Sequence, residues 1–432
     1  MKQAIFYHKG EKVARRKKMI LCSKTLVRLS ATLWFFFGII VSLSAQIFPP
    51  PPWLVPYLDD APEIVSRAAV LIDAQTGTIL YAKNPDEEIP PASLAKLMTM
   101  HLVMKAIKEG RASYDEIIPI TVDSWAQSQP YRSSLMFLEP GQRVTLREIL
   151  LGLSVSSGND AAVAAALRLA PSMRDFGVMM NEEAKRLGLY ITRFDEASGI
   201  SVYNKTTAAE FASFCRQYII MHPQSLVDFH SVQEFSYPLE ENVLERRRNN
   251  PRTITQFNNN SLLRTFPGVD GLKTGFINES GFNIALTAQR DQTRFILVLL
   301  GAPSGRGGSR IRASDSTRLL SWAFENFKTV RLEFGILEER LWKGKSNIAL
   351  IAGTEPDVFT VHSNREGPIR GLIEIPKPII APLAAGEKVG YRIVFDDIGE
   401  LYRTPLVTIE AYERGNVFKR FWHSIQLLFR KS

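Results

Sequence analysis

The order of apolar and polar positions divides the chain into stretches of different period. Residues 31–43 are apolar almost without interruption. Residues 68–73 and 78–83 are two short strand-like runs joined by Ala-Gln-Thr-Gly, the make-up of a hairpin. From Leu94 to Lys108 the apolar positions Leu94, Leu97, Met98, Leu102, Val103, Met104 and Ile107 go nearly all round a helix, entered through Pro90 and Pro91 and ended by Gly110. That pattern predicts a buried central helix fed by the hairpin. Helical periodicity occupies much of residues 94–220, including 146–153 and 160–169. Strands return at 283–289 and 293–300 across Arg-Asp-Gln, and a last helix holds Leu319, Leu320, Trp322 and Phe327. Helices packed on an antiparallel sheet make residues 63–327 an α+β domain.

The pattern then changes. Short apolar runs at 347–352, 358–361, 372–375, 389–395 and 406–409, with turn residues between them, predict a small all-β domain over residues 328–410. Residues 411–432 read as an amphipathic helix. Val417, Phe418, Phe421, Trp422, Ile425, Leu428 and Phe429 share one face, with Lys419, Arg420, His423, Arg430 and Lys431 around it. Such a face either packs on the β domain or lies in a membrane interface; terminal position, aromatic content and local basicity favour the membrane surface.

Composition alters this picture at the N-terminus. The 432 residues are 45% hydrophobic, ample for two or three domains, and the net charge is +9. Nine of the 53 Lys and Arg but only one of the 44 Asp and Glu fall in residues 1–45, so the remainder is nearly neutral and asks for no nucleic-acid partner. A basic segment, the apolar run and the small residues Ser44 and Ala45 have the layout of a secretory signal. The alternative is a retained N-terminal membrane segment, for which about 20 apolar residues is usual. Residues 46–62, with Pro49, Pro50, Pro51, Pro52, Pro56 and Pro62, form a stiff linker. With Cys22 in the signal, Cys215 is the one thiol left and reads as core packing. The six histidines (His8, His101, His222, His230, His362, His423) are scattered and suggest neither a triad nor a metal site. His101, on the central helix, reads as a satisfied polar group. Arg246, Arg247, Arg248 and Arg252 follow Glu240, Glu241 and Glu245 and are interleaved with asparagines, the mark of a solvated loop.

The candidate chemistry begins at Ser93 and Lys96. Three positions apart on a helix, they share a face, and burial would lower the lysine toward a neutral amine able to take the serine's proton. Ser-x-x-Lys alone is weak, arising roughly once or twice by chance in a chain of this size. Two further stretches add to it: Ser157-Gly158-Asn159 between two helical patterns, and Lys273-Thr274-Gly275 at the start of a hairpin region. Ser-x-x-Lys, Ser-x-Asn and Lys-Thr-Gly in this order are the three-part signature of penicillin-binding proteins and serine β-lactamases. With Phe137-Leu-Glu-Pro-Gly, Ser157-Gly-Asn-Asp-Ala, Met180-Asn-Glu-Glu-Ala-Lys-Arg-Leu-Gly, Asp270-Gly-Leu-Lys-Thr-Gly and Arg312-Ala-Ser-Asp-Ser-Thr-Arg-Leu-Leu-Ser-Trp, the chain from about residue 65 to its end resembles the D-alanyl-D-alanine carboxypeptidases, the low-molecular-mass penicillin-binding proteins.

The resemblance implies a serine β-lactamase/DD-peptidase-like catalytic domain followed by a small all-β domain and a membrane-associating C-terminal helix. It implies removal of the terminal D-alanine from peptidoglycan stem pentapeptides through an acyl-serine, inhibition by β-lactam antibiotics, export, and no metal or organic cofactor. Ser93 would be the nucleophile, Lys96 its base, Ser157 a proton relay to the leaving nitrogen, and Asn159 a holder of Lys96 and of the substrate amide. Lys273 would supply positive charge, Thr274 a bond to the substrate carboxylate, and Gly275 close approach of the strand. The backbone N–H groups of Ser93 and Phe276 would form the oxyanion hole. Arg312 would bind the terminal carboxylate, with Arg306 or Arg310 as alternatives. Two segments depart from the family: Asp195-Glu-Ala-Ser-Gly-Ile stands where Asn-Pro-His-Gly-Leu is common, and Asn258-Asn-Asn-Ser where some members have an arginine. A β-lactamase would share the acylation residues, but no Glu-x-x-Leu-Asn segment follows Ser157. A non-catalytic wall-binding scaffold would have lost Ser93, Lys96 or Lys273, and all three are present.

Overall fold

The computed structural model describes residues 3–5, 61–245, 252–354, 357–363 and 367–429, so the expected signal, most of the linker and Arg246, Arg247 and Arg248 lie outside the described residues. The chain divides into two compact units that meet in sequence at Asn326.

The first unit is built on a five-stranded antiparallel sheet. Its strands are β1 (Ala68–Asp73), β2 (Ile79–Lys83), β3 (Val269–Ile277), β4 (Gly281–Arg290) and β5 (Thr293–Ala302), in the spatial order β2-β1-β5-β4-β3. All six residues of β1 are buried, so both faces of the sheet are covered. Ala68, Val70, Ile72, Ile296 and Val298 face the main core, and helix Ala208–Met221 packs on β1 and β5. On the other side the rings of Phe295 and Phe324 stand 4.8 Å apart. The carboxylate of Asp315 accepts from the Ser66 N–H at 2.8 Å and the Ser66 hydroxyl at 2.7 Å, tying helix Gly308–Asn326 to the chain entering β1.

The expected central helix is present as α1 (Lys96–Lys108), with ten of its thirteen residues buried, preceded by a 3-10 turn over Ala92–Ala95 that carries Ser93. Ser93 makes no capping bond. Helix α2 (Asn159–Leu169) packs against α1, its fully buried Ala161, Ala162 and Ala165 allowing close approach. His101 is buried and satisfied, its Nε2 2.7 Å from Glu183 Oε1 and its Nδ1 2.8 Å from His222 Nε2. Burial, the largest influence on it, holds the His222 imidazole at about 3. Cys215 is fully buried in the core, which pushes its thiol up.

The second unit is mainly β. The strands of its main sheet are Leu337–Trp342, Ile348–Gly353, Arg370–Glu374, Ile379–Ile380, Lys388–Phe395 and Glu400–Thr408, with Gln3–Ile5 paired antiparallel to Arg370–Glu374 at one edge. One expectation is corrected here. Phe327 does not belong to the preceding helix but opens strand Phe327–Arg331, which pairs with Val358–His362. The β-branched Thr329 and Val330 favour an extended backbone where the helical stripe ends.

Helix Val417–Leu428 closes the unit. The Asn416 side chain caps it, accepting from the Lys419 N–H at 2.8 Å. Its His423 face turns inward: Nδ1 accepts from the Lys343 N–H at 2.8 Å and the ring stands edge-on to Trp342. Phe418, Phe421, Trp422, Leu428 and Phe429 are 60–86% exposed, so the aromatic face is not packed on the β domain. Among the described residues no helix is long and apolar enough to cross a membrane.

Asp160 links the segments that bound the site. Fully buried at the start of α2, it accepts from the N–H groups of Met136 at 2.8 Å and Leu138 at 3.0 Å. Asp160→Ala leaves these donors unmet in the core and is expected to cost about 2–4 kcal/mol. Urea unfolding measures this, and a loss below about 1 kcal/mol would contradict the account.

Candidate active site

Three elements converge on Lys96. The 3-10 turn and α1 place its amine under Ser93, the start of α2 supplies Asn159, and the loop after α3 (Met173–Arg186) supplies a carbonyl. Lys96 is fully buried, and its Nζ donates to Ser93 Oγ at 3.0 Å, Asn159 Oδ1 at 2.8 Å and the Ser198 carbonyl at 2.6 Å. Three acceptors satisfy the three N–H bonds of an ammonium. In the neutral amine two N–H bonds suffice for Asn159 and Ser198, which leaves the lone pair to accept from the Ser93 hydroxyl. Burial lowers Lys96 to about 8, against the opposing charges of Glu196 and Asp160. The amide nitrogen of Asn159 donates to Ser133 Oγ at 3.2 Å, which fixes the orientation of Asn159.

Ser157 sits at the junction of a π-helical turn, Gly152–Ser156, and α2, with φ +57°. Ala92, immediately before Ser93, has φ +51°. Both are non-glycine residues in the left-handed region, a local cost of about 1–3 kcal/mol each that the surrounding packing must hold in place. Backbone therefore approaches the Ser93 turn from two sides. A Cβ on Gly199 would stand 1.9 Å from the Ala92 carbonyl oxygen, and one on Gly275 would stand 2.9 Å from the Pro91 carbonyl oxygen and 3.0 Å from the Ser93 nitrogen. Strand β3, which carries Lys273, Thr274, Gly275 and Phe276, is the edge strand of the sheet and passes the Ser93 turn at this contact.

Lys273 is 2% exposed and donates to the Thr274 carbonyl at 2.9 Å. Burial, then the charges of Lys96 and Arg312, hold its amine well below the usual lysine range. Arg312 is buried, whereas Arg306 and Arg310 are exposed. Its Nη2 reaches the Asn259 carbonyl at only 3.4 Å, its Nε has no partner, and burial lowers it to about 10. Among the described residues it is paired with no carboxylate, so it keeps hydrogen-bonding capacity for an anion. Phe276 is 41% exposed and stacks on Phe282 at 4.3 Å.

Hydrogen bonds thus join Ser93, Lys96 and Asn159 directly. Ser157 stands two residues from Asn159, Lys273 is tied to Lys96 through their mutual repulsion, and Arg312 acts on Lys273 in the same way. Sequence reasoning missed the Ser198 carbonyl, which no side-chain pattern reveals, and the carboxylate of Glu196, whose one signal was its place in a segment that departs from the family pattern. Among the described residues no group of three or more His, Cys, Asp and Glu is placed to hold a metal ion.

The fold and this arrangement belong to a class, the serine hydrolases of the penicillin-binding type. More particularly, the chain belongs to the D-alanyl-D-alanine carboxypeptidase family, whose profile matches residues 57–304; residues 324–414 match the C-terminal domain of penicillin-binding protein 5. The D-alanyl-D-alanine carboxypeptidase DacD of Escherichia coli is 37% identical over 376 residues, covering 85% of this chain and 92% of that one. DacC of the same organism is 31% identical over 394 residues, covering 89% and 94%. Among solved structures, penicillin binding protein 5 from Haemophilus influenzae aligns with a TM-score of 0.72 at 28% identity over 82% of this chain and 99% of that one. Penicillin binding protein 6B from Escherichia coli aligns with a TM-score of 0.65 at 31% identity over the same shares.

The contact of Gly275 with the Ser93 turn yields a test. Gly275→Ala has to push β3 away from Ser93, and penicillin acylation is expected to slow at least about tenfold while the fold melts cooperatively. Unchanged labelling kinetics with a fluorescent penicillin would show that the approach is not needed.

Proposed function

We propose that this D-alanyl-D-alanine carboxypeptidase uses Ser93 as nucleophile and Lys96 as its base, trimming the terminal D-alanine from peptidoglycan stem pentapeptides and becoming acylated by β-lactams. The observation that carries the reading is the 3.0 Å bond between Lys96 Nζ and Ser93 Oγ, made by an amine withdrawn from water. In its neutral form Lys96 takes the Ser93 proton as Oγ attacks the carbonyl carbon of the penultimate D-alanine. The backbone N–H groups of Ser93 and Phe276 receive the developing oxyanion, each such donor contributing about 3 kcal/mol to the transition state. The bond to the terminal residue then breaks, and its nitrogen takes a proton through Ser157 as free D-alanine leaves. Water hydrolyses the ester and restores Ser93. A β-lactam enters by the same attack, but its leaving nitrogen stays attached to the acyl group.

Binding draws on charge and shape. Asn159 holds Lys96 and the substrate amide, Thr274 bonds the terminal carboxylate, and Lys273 and Arg312 give it positive surroundings. Arg312 suits this role better than Arg306 or Arg310 because it is buried and its Nε is unpartnered. Gly275 in the edge strand lets the substrate backbone lie close to β3.

The reading extends to location. Residues 1–45 direct export, residues 46–62 act as a linker, residues 63–327 form the catalytic domain and residues 328–410 a β-rich support. Residues 411–432 associate with the outer face of the cytoplasmic membrane. The exposure of Phe418, Phe421, Trp422, Leu428 and Phe429 supports the last assignment, since it leaves a large apolar face for the lipid interface beside the basic Lys419 and Arg420. Arg430 and Lys431, outside the described residues, add to that charge.

The deciding assay follows D-alanine released from diacetyl-Lys-D-Ala-D-Ala, with and without benzylpenicillin. Penicillin-sensitive release is expected, and Ser93→Ala is expected to abolish both release and covalent penicillin labelling. Labelling of a folded Ser93→Ala protein would remove the nucleophile assignment, and rapid penicillin turnover with the peptide untouched would make the enzyme a β-lactamase. For the tail, deleting residues 411–432 is expected to move the processed enzyme from the membrane pellet to the soluble fraction. Retention in the pellet after signal cleavage would overturn the anchor.

A further inference from the structure

We propose that Glu196 is a positioning residue for Lys96: it pins the loop whose Ser198 carbonyl holds the amine, and its fixed negative charge sets the pH at which acylation switches on. The proposal rests on the reading of Lys96 as the base.

The geometry is specific. Oε2 of Glu196 accepts from the Ser198 N–H at 2.6 Å; Oε1 accepts from the Gly199 N–H at 2.7 Å, the Asn204 side-chain amide at 3.1 Å and the Ser201 N–H at 3.3 Å. One carboxylate thus gathers four donors of the 198–204 loop. The peptide unit it grips at Ser198 N–H is followed at once by the Ser198 carbonyl, which accepts from Lys96 Nζ at 2.6 Å, and by Gly199, where an added Cβ would stand 1.9 Å from the Ala92 carbonyl oxygen. Moving Glu196 would therefore move one of the three acceptors of Lys96 and the support of the turn that carries Ser93. Both oxygens are spent on these donors, which makes Glu196 an anchor and a charge, not a base for water.

The charge acts separately from the clamp. Burial favours the acid form of Glu196, but the bonds from Ser198 and Asn204 and the nearby Lys96 outweigh it and hold the group below the usual carboxylate range, so it is ionised throughout the working range. The charged groups facing Lys96 are Glu196 from the loop, Asp160 from the start of α2 and Lys273 from β3, with Arg312 beyond Lys273. Glu196 is the larger of the two acidic influences on Lys96, and both oppose its burial.

The sign follows. Neutral Lys96 is the active form, so acylation rises with pH through a limb near 8 in the wild type. Removing a negative charge destabilises the ammonium and moves that limb to lower pH. Glu196→Gln keeps an acceptor oxygen for the loop while deleting the charge, and Glu196→Asn is a second neutral variant of shorter reach. The measurement is the second-order rate of acylation by a fluorescent penicillin against pH in the full chain, with folding checked by thermal melting. The limb is expected to shift down by about 0.5 unit or more, making the variant about threefold faster than expected from its own plateau at a pH below both limbs. A limb unmoved in whichever variant folds overturns the proposal, even where the plateau drops, since loss of the clamp alone would lower the plateau and leave the limb. An upward shift overturns it too. Lys96→Ala in the same assay separates the two readings: persistent acylation there removes Lys96 as base, whereas loss of acylation there with an unmoved limb in Glu196→Gln removes only the role of Glu196.

Discussion

Withdrawal of the Lys96 amine from water is the constraint around which the catalytic unit is arranged. An ammonium without access to solvent costs several kcal/mol unless its hydrogen bonds and charge are answered. They are answered from three separate parts of the chain: Ser93 from the turn before α1, Asn159 from the start of α2 and Ser198 from the loop beyond α3. The compensation is incomplete, because burial still outweighs Glu196 and Asp160 and brings Lys96 to about 8. Full compensation would leave an inert cation, and none would unfold the site. The intermediate state lets the same three partners serve both forms of the amine, Ser93 accepting from the ammonium and donating to the neutral amine.

Close packing of backbone supplies the precision this balance needs. The turn at Ala92 and Ser93 is wedged between the loop at Gly199 and the edge strand at Gly275, and neither position has room for a side chain. Asn283 adds a tie, donating to the Pro90 carbonyl at 2.9 Å while accepting from the Gly301 N–H at 2.8 Å, which fastens the entrance of the turn to β4 and β5. Sheet, turn and loop are thus locked at the point where hydroxyl and amine must meet, and the left-handed backbone of Ala92 persists because its neighbours leave it no alternative.

What was legible in the sequence follows from this division between side chains and backbone. The hairpin before Ser93, the buried central helix and the hairpin of β4 and β5 were readable because apolar residues recur there at the period of the element. Ser93, Lys96 and Asn159 were readable because their chemistry resides in side chains at fixed spacing. The Ser198 carbonyl and the wedge at Gly199 were not, since any residue offers a carbonyl and a contact between residues 92 and 199 leaves no local trace. Strand Leu337–Trp342 escaped because Glu338, Glu339 and Arg340 interrupt its apolar pattern, as a half-exposed strand permits. Phe327 was assigned to the helix because its aromatic side chain suits the helical stripe as well as it suits the strand it opens.

The charges around the two buried lysines differ in sign. Lys96 is answered by the carboxylates of Glu196 and Asp160. Lys273 and Arg312 are buried near one another, each lowered from its usual range, and among the described residues neither is ion-paired. Burial disfavours the charged forms of both, and a ligand carboxylate placed beside them would favour those forms. The charge of Lys96 is among the causes that lower Lys273, and by the same repulsion a charged Lys273 disfavours a proton on Lys96. Where a ligand carboxylate favours a charged Lys273, the same repulsion favours a neutral Lys96.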